Sequence, residues 1–331
     1  MPWAPRLSSS GTRIDRARSA HGAELEAPSP PHARSALCVH CRQGRFIRSL
    51  QVTHKAEVSS VPDAVCCAQL KVERRGHVLV VTLDDPATRN ALHGDELFQA
   101  FEDLVRLAND DMEIRALVLT GAGLAFSSGG NVRDMQDRKG MFGGPPQDIA
   151  EQYRKGIQRI PRAMLSLDVP AIAAVNGPAI GAGCDLACMC DLRIASERAV
   201  FAESFVKVGI IPGDGGSWLL PRIVGYARAA QMAFTGEMID ATEALALGLV
   251  SRVVPHAQLM DSALELAGRI AANPPHALRW TKRLLKASTH ERLDTILTMA
   301  ASYQALAHQT QDHAEAVAAL LERRTPQFQG R

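Results

Sequence analysis

The sequence predicts an α/β domain built mainly from parallel strands, with a helical region at its C-terminal end. Three features lead there. Short apolar runs recur at His77–Leu83, Arg115–Thr120 and Ala171–Val175, a length that suits buried strands and falls well short of the roughly 18 residues of a membrane span. Stretches with helical spacing lie between them. Gly, Pro and Asn mark most junctions, as expected of strands joined by crossover helices.

Taken in order, Leu70–Arg74 and His77–Leu83 flank Arg75-Gly76 and form a strand pair, which Asp84-Asp85-Pro86 ends. Leu97, Phe101, Leu104 and Ala108 repeat with helical period, predicting a helix over Asp95–Asn109. Arg115–Thr120 is the next strand, closed by Gly121-Ala122-Gly123. A polar Gly/Pro loop then spans 138–147, a helix runs through Tyr153–Leu167, and Ala171–Val175 forms a strand stopped by Asn176-Gly177-Pro178. From Ala257 to Arg324 the pattern is nearly all helical, interrupted at Asn273-Pro274-Pro275. The expected organisation is therefore an arm over 1–68, a core domain over 69–255 and a helical region over 256–331.

Composition narrows the function classes. The 331 residues are 46% hydrophobic and 22% charged, enough for a large core and too apolar for wholesale disorder. Lys and Arg number 37 against 35 Asp and Glu, a net charge of +2 that leaves no footprint for nucleic acid or an anionic membrane. Seven cysteines, an odd count, argue against a disulfide scaffold and for a reducing, cytoplasmic setting. The arm is rich in Arg, Ser and Pro and lacks sustained periodicity, so it is read as disordered. Its acids Asp15, Glu24 and Glu26 speak against an organelle leader. Cys38-Val39-His40-Cys41 has the spacing of half a zinc site, but no second ligand pair stands at the proper distance, so no metal is expected.

The chemistry is expected just past two strands. Ala125-Phe126-Ser127-Ser128-Gly129-Gly130-Asn131 follows one, and Asn176-Gly177-Pro178-Ala179-Ile180-Gly181-Ala182-Gly183-Cys184-Asp185 follows the other. Loops at the carboxyl ends of strands in an open α/β sheet are where ligands bind. Small residues there leave backbone N–H groups approachable, and two such groups converging on one point make an oxyanion hole. Beyond Gly181 the residues Cys184, Leu186, Ala187, Cys188 and Met189 are apolar on every face, predicting a deeply buried helix. Its first-turn N–H groups are unpaired at the positive dipole end. Asp185, three residues after Ala182, shares that face and leans back toward the N-terminus. Other motifs fail on spacing: Gly121-Ala-Gly123-Leu-Ala-Phe126 lacks the third dinucleotide glycine, and no P-loop, G-x-S-x-G or H-E-x-x-H is present.

With these residues in hand, the chain resembles the crotonase (enoyl-CoA hydratase/isomerase) superfamily from about Leu70 to Arg331. The likeness rests on Pro86-Ala-Thr-Arg89-Asn90-Ala91-Leu92, Phe126-Ser-Ser-Gly-Gly130, Pro170-Ala-Ile-Ala-Ala-Val-Asn176-Gly177, Gly181-Ala-Gly-Cys-Asp-Leu186, Gly209-Ile-Ile-Pro212-Gly-Asp-Gly-Gly216 and Ala244-Leu-Ala-Leu-Gly-Leu-Val250. The resemblance implies a spiral of ββα units, C-terminal helices that form trimers or dimers of trimers, and a coenzyme A thioester as substrate, with no cofactor or metal besides. It implies the N–H groups of Gly130 and Ala182 as oxyanion donors, and Arg89, Ala91, Ser128, Gly129 and Lys282 beside the coenzyme. Hydratases of the family use two glutamates on one water; Asp185 matches the first, and the second falls at Phe205. Asp214 is the expected substitute acid, with Glu203 as the other candidate. The resemblance thus implies hydration of 2-enoyl-CoA. A double-bond or ring-epoxide isomerase is the alternative, since that branch places an Asp in the same glycine loop, aligned with Gly213. A catalytically silent acyl-CoA binder is the third reading.

Overall fold

A computed structural model describes residues 58–60 and 65–331; the Cys38–Cys41 motif and most of the expected arm lie outside them. The larger of two sheets contains β1 (Val58–Ser60), β2 (Leu70–Arg75), β3 (Val78–Leu83), β4 (Ala116–Gly121), β5 (Ala171–Val175), β7 (Leu192–Ser196) and β10 (Arg252–Val254), side by side in that order. β1, β2 and β3 are antiparallel, and from β3 onward every neighbour is parallel. The sheet thus begins before residue 69: β1 pairs with β2, and Val65 is buried in the core.

Alternation explains the apolar runs. Leu79, Val81 and Leu83 of β3 face one core with Leu117, Leu119, Ala173 and Val175. Val78 and Val80 point the other way, joining Val118, Ile172 and Ala174 under the Leu259, Ala263, Ala267 and Ala271 row of helix α9 (Leu259–Ala271). On the first face lies α1 (Asp95–Asp110), burying Leu97, Phe98, Phe101, Leu104, Val105 and Ala108. The expected helix through Tyr153–Leu167 is two helices, α3 (Pro146–Lys155) and α4 (Arg159–Ser166), following the short α2 (Val132–Gln136). The break is at Gly156, whose backbone (φ −103, ψ −116) leaves the helical region.

A second sheet explains how the loops are held. It consists of β6 (Ala179–Ile180), β8 (Val200–Ala202) and β9 (Ile239–Asp240). Isolated parallel bridges extend it, pairing Ser127 with Ala179 and Ala91 with Gly129. β3, β4, β5 and β7 are therefore each followed by a short segment of the small sheet and then by helix, the ββα progression. After β6 comes α5 (Ala182–Met189); after β8 come a 3-10 turn (Ser204–Val208), α6 (Gly216–Val224) and α7 (Tyr226–Thr235). The parallel register sets Ser127, Ala179 and Phe201 abreast.

Beyond α8 (Ala241–Ala246) and α9, the helical region continues through α10 (Pro275–Ala287), α11 (Leu293–Ala307) and α12 (Gln311–Glu322). Buried Arg279 ties α10 to the end of α1, donating to the carbonyls of Ala108 (3.0 Å), Asn109 (2.6 Å), Asp111 (2.8 Å) and Ile114 (3.1 Å). Helix-terminal carbonyls lack intrahelical donors, so a cation there satisfies them and the dipole together. Replacing Arg279 with Met keeps much of the packing and strands those acceptors. We expect a loss of about 2–4 kcal/mol in urea unfolding; an unchanged midpoint would show that the tie contributes nothing.

Candidate active site

β4 and β5 are neighbours in register, Leu117 opposite Ala171 and Leu119 opposite Ala173, so their carboxyl ends release two loops side by side. Polar side chains lock these loops. Asn90 Nδ2 donates to the carbonyls of Ala122, Ala125 and Phe126, while its Oδ1 accepts from the Asp85 amide. Asn176 does the same from the other strand, accepting from Gly121 N–H and donating to Gly123 and Ala125. Ser127 Oγ donates to the Asn90 carbonyl and accepts from Gly129 N–H. Arg89 and Asn90 both have φ near 59°, a left-handed conformation that Asn tolerates better than most residues. These anchors hold that strained pair in place.

The two donor-bearing turns meet through Gly129. Its φ of 77° excludes most side chains, and an added Cβ would lie 2.4 Å from the Ile180 carbonyl oxygen and 3.0 Å from the Ala182 nitrogen. Gly130, one residue on, therefore sits beside the first turn of α5. Neither Gly130 N–H nor Ala182 N–H donates to any described residue. All eight residues of α5 are buried, as the apolar pattern predicts.

Three carboxyl groups gather behind these donors. Asp185 is fully buried, Glu203 1% and Asp214 4% exposed, and both oxygens of Asp185 and Glu203 and Oδ2 of Asp214 have no hydrogen-bond partner. Gly216 makes room for Asp185: a Cβ there would sit 2.0 Å from Oδ1. Burial pushes Asp185 well above the usual carboxylate range, and the charges of Glu203 and Asp214 push it further; the nearby Gly216 amide offsets a little of this. Burial raises Glu203 to about 7 and Asp214 to about 6. The Asp214 loop is held by Gln158 Nε2, which donates to the Gly213 carbonyl, and by Tyr153 packing on Gly213.

The structure thus places Gly130, Ala182, Asp185 and Asp214 around one region. It also brings Arg89, Ala91, Ser128 and Gly129 together: Ser128 N–H donates to the Arg89 carbonyl, Ser128 Oγ to that of Thr88, and Ala91 bridges Gly129. Lys282 is a correction. It is 5% exposed, and its ammonium is committed to the Val169 carbonyl and Asp191 carboxylate, both at 2.6 Å. Those partners flank the start of β5, roughly 13 Å from the end where the loops emerge. A lysine in an amphipathic helix reads the same in sequence whether its head meets solvent or a buried acid. Phe205 packs its ring near Gly181, 3.5 Å from where a Cβ would be. Asn131 accepts from Arg133 N–H and caps α2.

Glu203 is more central than sequence reasoning made it. Continuing the parallel register from Ile180 and Ala202 puts Glu203 abreast of Gly181, whose N–H donates to Ala202. The signal was an acid directly after the Val200–Ala202 run, but a strand of three residues gives no periodicity to fix its face. Among the described residues, no three His, Cys, Asp or Glu side chains are placed to hold a metal ion.

Residues 73–331 match a family model described as enoyl-CoA hydratase/isomerase. The chain is 37% identical over 254 residues to the 1,2-epoxyphenylacetyl-CoA isomerase of Escherichia coli K12, covering 77% of this chain and 95% of the relative. It is 36% identical over 256 residues to the short-chain-enoyl-CoA hydratase of Clostridium acetobutylicum, covering 76% and 94%. Among solved structures, an enoyl-CoA hydratase from Bacillus anthracis aligns with a TM-score of 0.74 at 32% identity, covering 80% of this chain and all (100%) of that one. One from Polaromonas sp. JS666 aligns at 0.73 and 33%, covering 78% and 99%.

The buried acids dictate a pH dependence of stability. Glu203 titrates near 4.5 when unfolded and about 7 in the fold, Asp214 near 3.8 and about 6. Between those values the native state holds protons that the unfolded chain has released, so stability declines as pH rises. Each group contributes on the order of 3 kcal/mol to that decline. Glu203→Gln and Asp214→Asn should therefore unfold at higher denaturant than the parent at pH 8 and close to it at pH 4. Parallel stability curves for parent and variants across this range would contradict the assignment.

Proposed function

The chain belongs to the enoyl-CoA hydratase/isomerase family, and on that premise we propose that it hydrates 2-enoyl-CoA thioesters at the site described above. The observation that carries this reading is the set of buried, unpartnered acids behind two unpaired backbone donors. The amides of Gly130 and Ala182 hold the thioester oxygen, where negative charge develops as water adds to the β carbon; one such donor is typically worth about a hundred- to thousandfold in rate. The environments of the acids divide the labour. Asp214, raised to about 6, is mostly ionised at neutral pH and takes a proton from the attacking water. Asp185, raised well above its usual range, carries the proton that passes to the α carbon as the enolate collapses. Water supplies one proton and the hydroxyl, the enolate carbon takes one proton, and charge balances.

Double-bond or ring-epoxide isomerisation is the second reading, and a specific observation favours it: an aromatic ring at Phe205, with no acid-base chemistry, where the hydratase pattern has its second glutamate. The name of the Escherichia coli relative fits that branch. In this reading Asp185 and Asp214 move a proton between carbons. The acyl-CoA lies along the Arg89, Ala91, Ser128 and Gly129 segment, and we propose no cofactor or metal besides the coenzyme A of the substrate.

A homotrimer, or a dimer of trimers, completes the proposal. Its support is a set of exposed apolar side chains, Val208, Ile211, Tyr226, Phe234 and Met238 around α6 and α7 and Leu293, Leu320 and Leu321 on the last helices. No helix among the described residues is long and apolar enough to cross a membrane; a cytoplasmic location is proposed on the odd cysteine count and the free thiols of Cys66, Cys67, Cys184, Cys188 and Cys190.

Ultraviolet absorbance of the conjugated thioester tests the chemistry. A hydratase bleaches crotonyl-CoA, whereas an isomerase creates conjugation from 3-butenoyl-CoA. Asp185→Asn should lower kcat by about a hundredfold or more with the fold intact; full turnover in that variant would overturn the proton-transfer role. Light scattering should return three or six times the chain mass, and a monomer would refute the assembly.

A further inference from the structure

Hydration as described leaves a debt of one proton: each turnover loads Asp214 and empties Asp185. Resetting the site requires a group that meets Asp185 and also reaches water. Glu203 sits between the two: it meets Asp185, and although its carboxyl oxygens are buried, the residue borders a cavity. Its carboxyl lies within hydrogen-bonding reach of Asp185, yet neither acid has a donor partner, so the pair is satisfied only when one proton lies between them. That cavity is half-open and holds about 140 Å³, with Pro212, Gly216, Leu220, Ala229 and Phe234 on its walls beside Glu203. Neither Asp185 nor Asp214 lines that cavity.

We propose that Glu203 is a positioning residue that shares a proton with Asp185 and reloads it from the cavity after each turnover. The inference rests on the hydration reading above. In the reset, a cavity water protonates Glu203, Glu203 passes its proton to the Asp185 carboxylate, and Asp214 returns its proton to water; no net charge or electron pair is gained or lost. The groups facing Glu203 are Asp185, Cys184 and Cys188 of α5 and Asp214 of the loop before α6, with Tyr226 of α7 on the cavity wall. The Cys184 thiol stays protonated in this setting: its contact with Cys188 and its burial hold it well above the ordinary thiol range. The proton traffic therefore falls to the carboxyl groups.

Glu203→Gln keeps the shape and removes the exchangeable proton. With enzyme in excess over crotonyl-CoA, its first turnover should match the parent, whereas steady-state kcat falls about tenfold with KM unchanged. Loss of the neighbouring negative charge should also move the pH limb governed by Asp185 about one unit lower. Glu203→Asp, which keeps the charge, should leave that limb in place and recover part of kcat. Equal losses in first and later turnovers with an unmoved limb would make Glu203 merely structural, and no change at all would make it irrelevant; either result overturns the proposal. Inactivity of Asp185→Asn beside a parent-like Glu203→Gln overturns this proposal alone, whereas an active Asp185→Asn also removes the reading beneath it. Should Glu203→Gln fail to fold, infrared spectra of the parent at neutral pH decide. A protonated-carboxyl band that Asp185→Asn abolishes supports the shared proton, and absence of the band refutes it.

Discussion

The approach of Gly129 to the first turn of α5 is the constraint from which the geometry of the site follows. Two turns leave neighbouring strands, and only a residue without a side chain fits between them, because a Cβ at position 129 would sit 2.4 Å from the Ile180 carbonyl oxygen. The short parallel bridges of the small sheet then fix the register, and Asn90, Asn176 and Ser127 consume the carbonyls that would otherwise compete for the exposed amides. Donors fixed in this way need no reorganisation when charge appears on a bound oxygen, which is the source of their catalytic value. A side chain at position 129 would wedge the turns apart, and misplacement by an ångström is enough to forfeit much of that value.

Packing three carboxyl groups into a dry space is unfavourable, and the surroundings show how it is tolerated. The two cores on either face of the large sheet bury most of the apolar side chains of the strands and of α1 and α9, so the domain has stability to concede locally. The concession takes the form of retained protons: each acid is held above its normal range chiefly by burial, and the charges of Glu203 and Asp214 push Asp185 further. Their titrations belong to the group as a whole. A carboxyl group that keeps its proton near neutrality is the one that can give it away there.

Much of this was legible in the sequence because the signals were long. The apolar runs of β3, β4 and β5 and the helical spacing of Leu97, Phe101, Leu104 and Ala108 each span enough residues to show a period. The uniformly apolar α5 made its lone acid conspicuous. What escaped was short or ambiguous. β6 and β8 have two and three residues, too few to reveal that Glu203 aligns with Gly181. The expected helix through Tyr153–Leu167 hid its break because apolar spacing persists across Gly156. Lys282 was misassigned because burial of a charge depends on a partner, Asp191, far away in the chain.

The donors of this site are main-chain atoms, and Ala182 presents its N–H with a methyl group in place. No single codon change deletes such a group short of proline, whereas any of the three acids can be exchanged by one. The scaffold therefore separates a heritable invariant from an adjustable part. Lineages starting from this architecture are free to redistribute acids around a charge-holding frame that mutation scarcely touches, and so to drift between related reactions without first losing the ability to hold the intermediate.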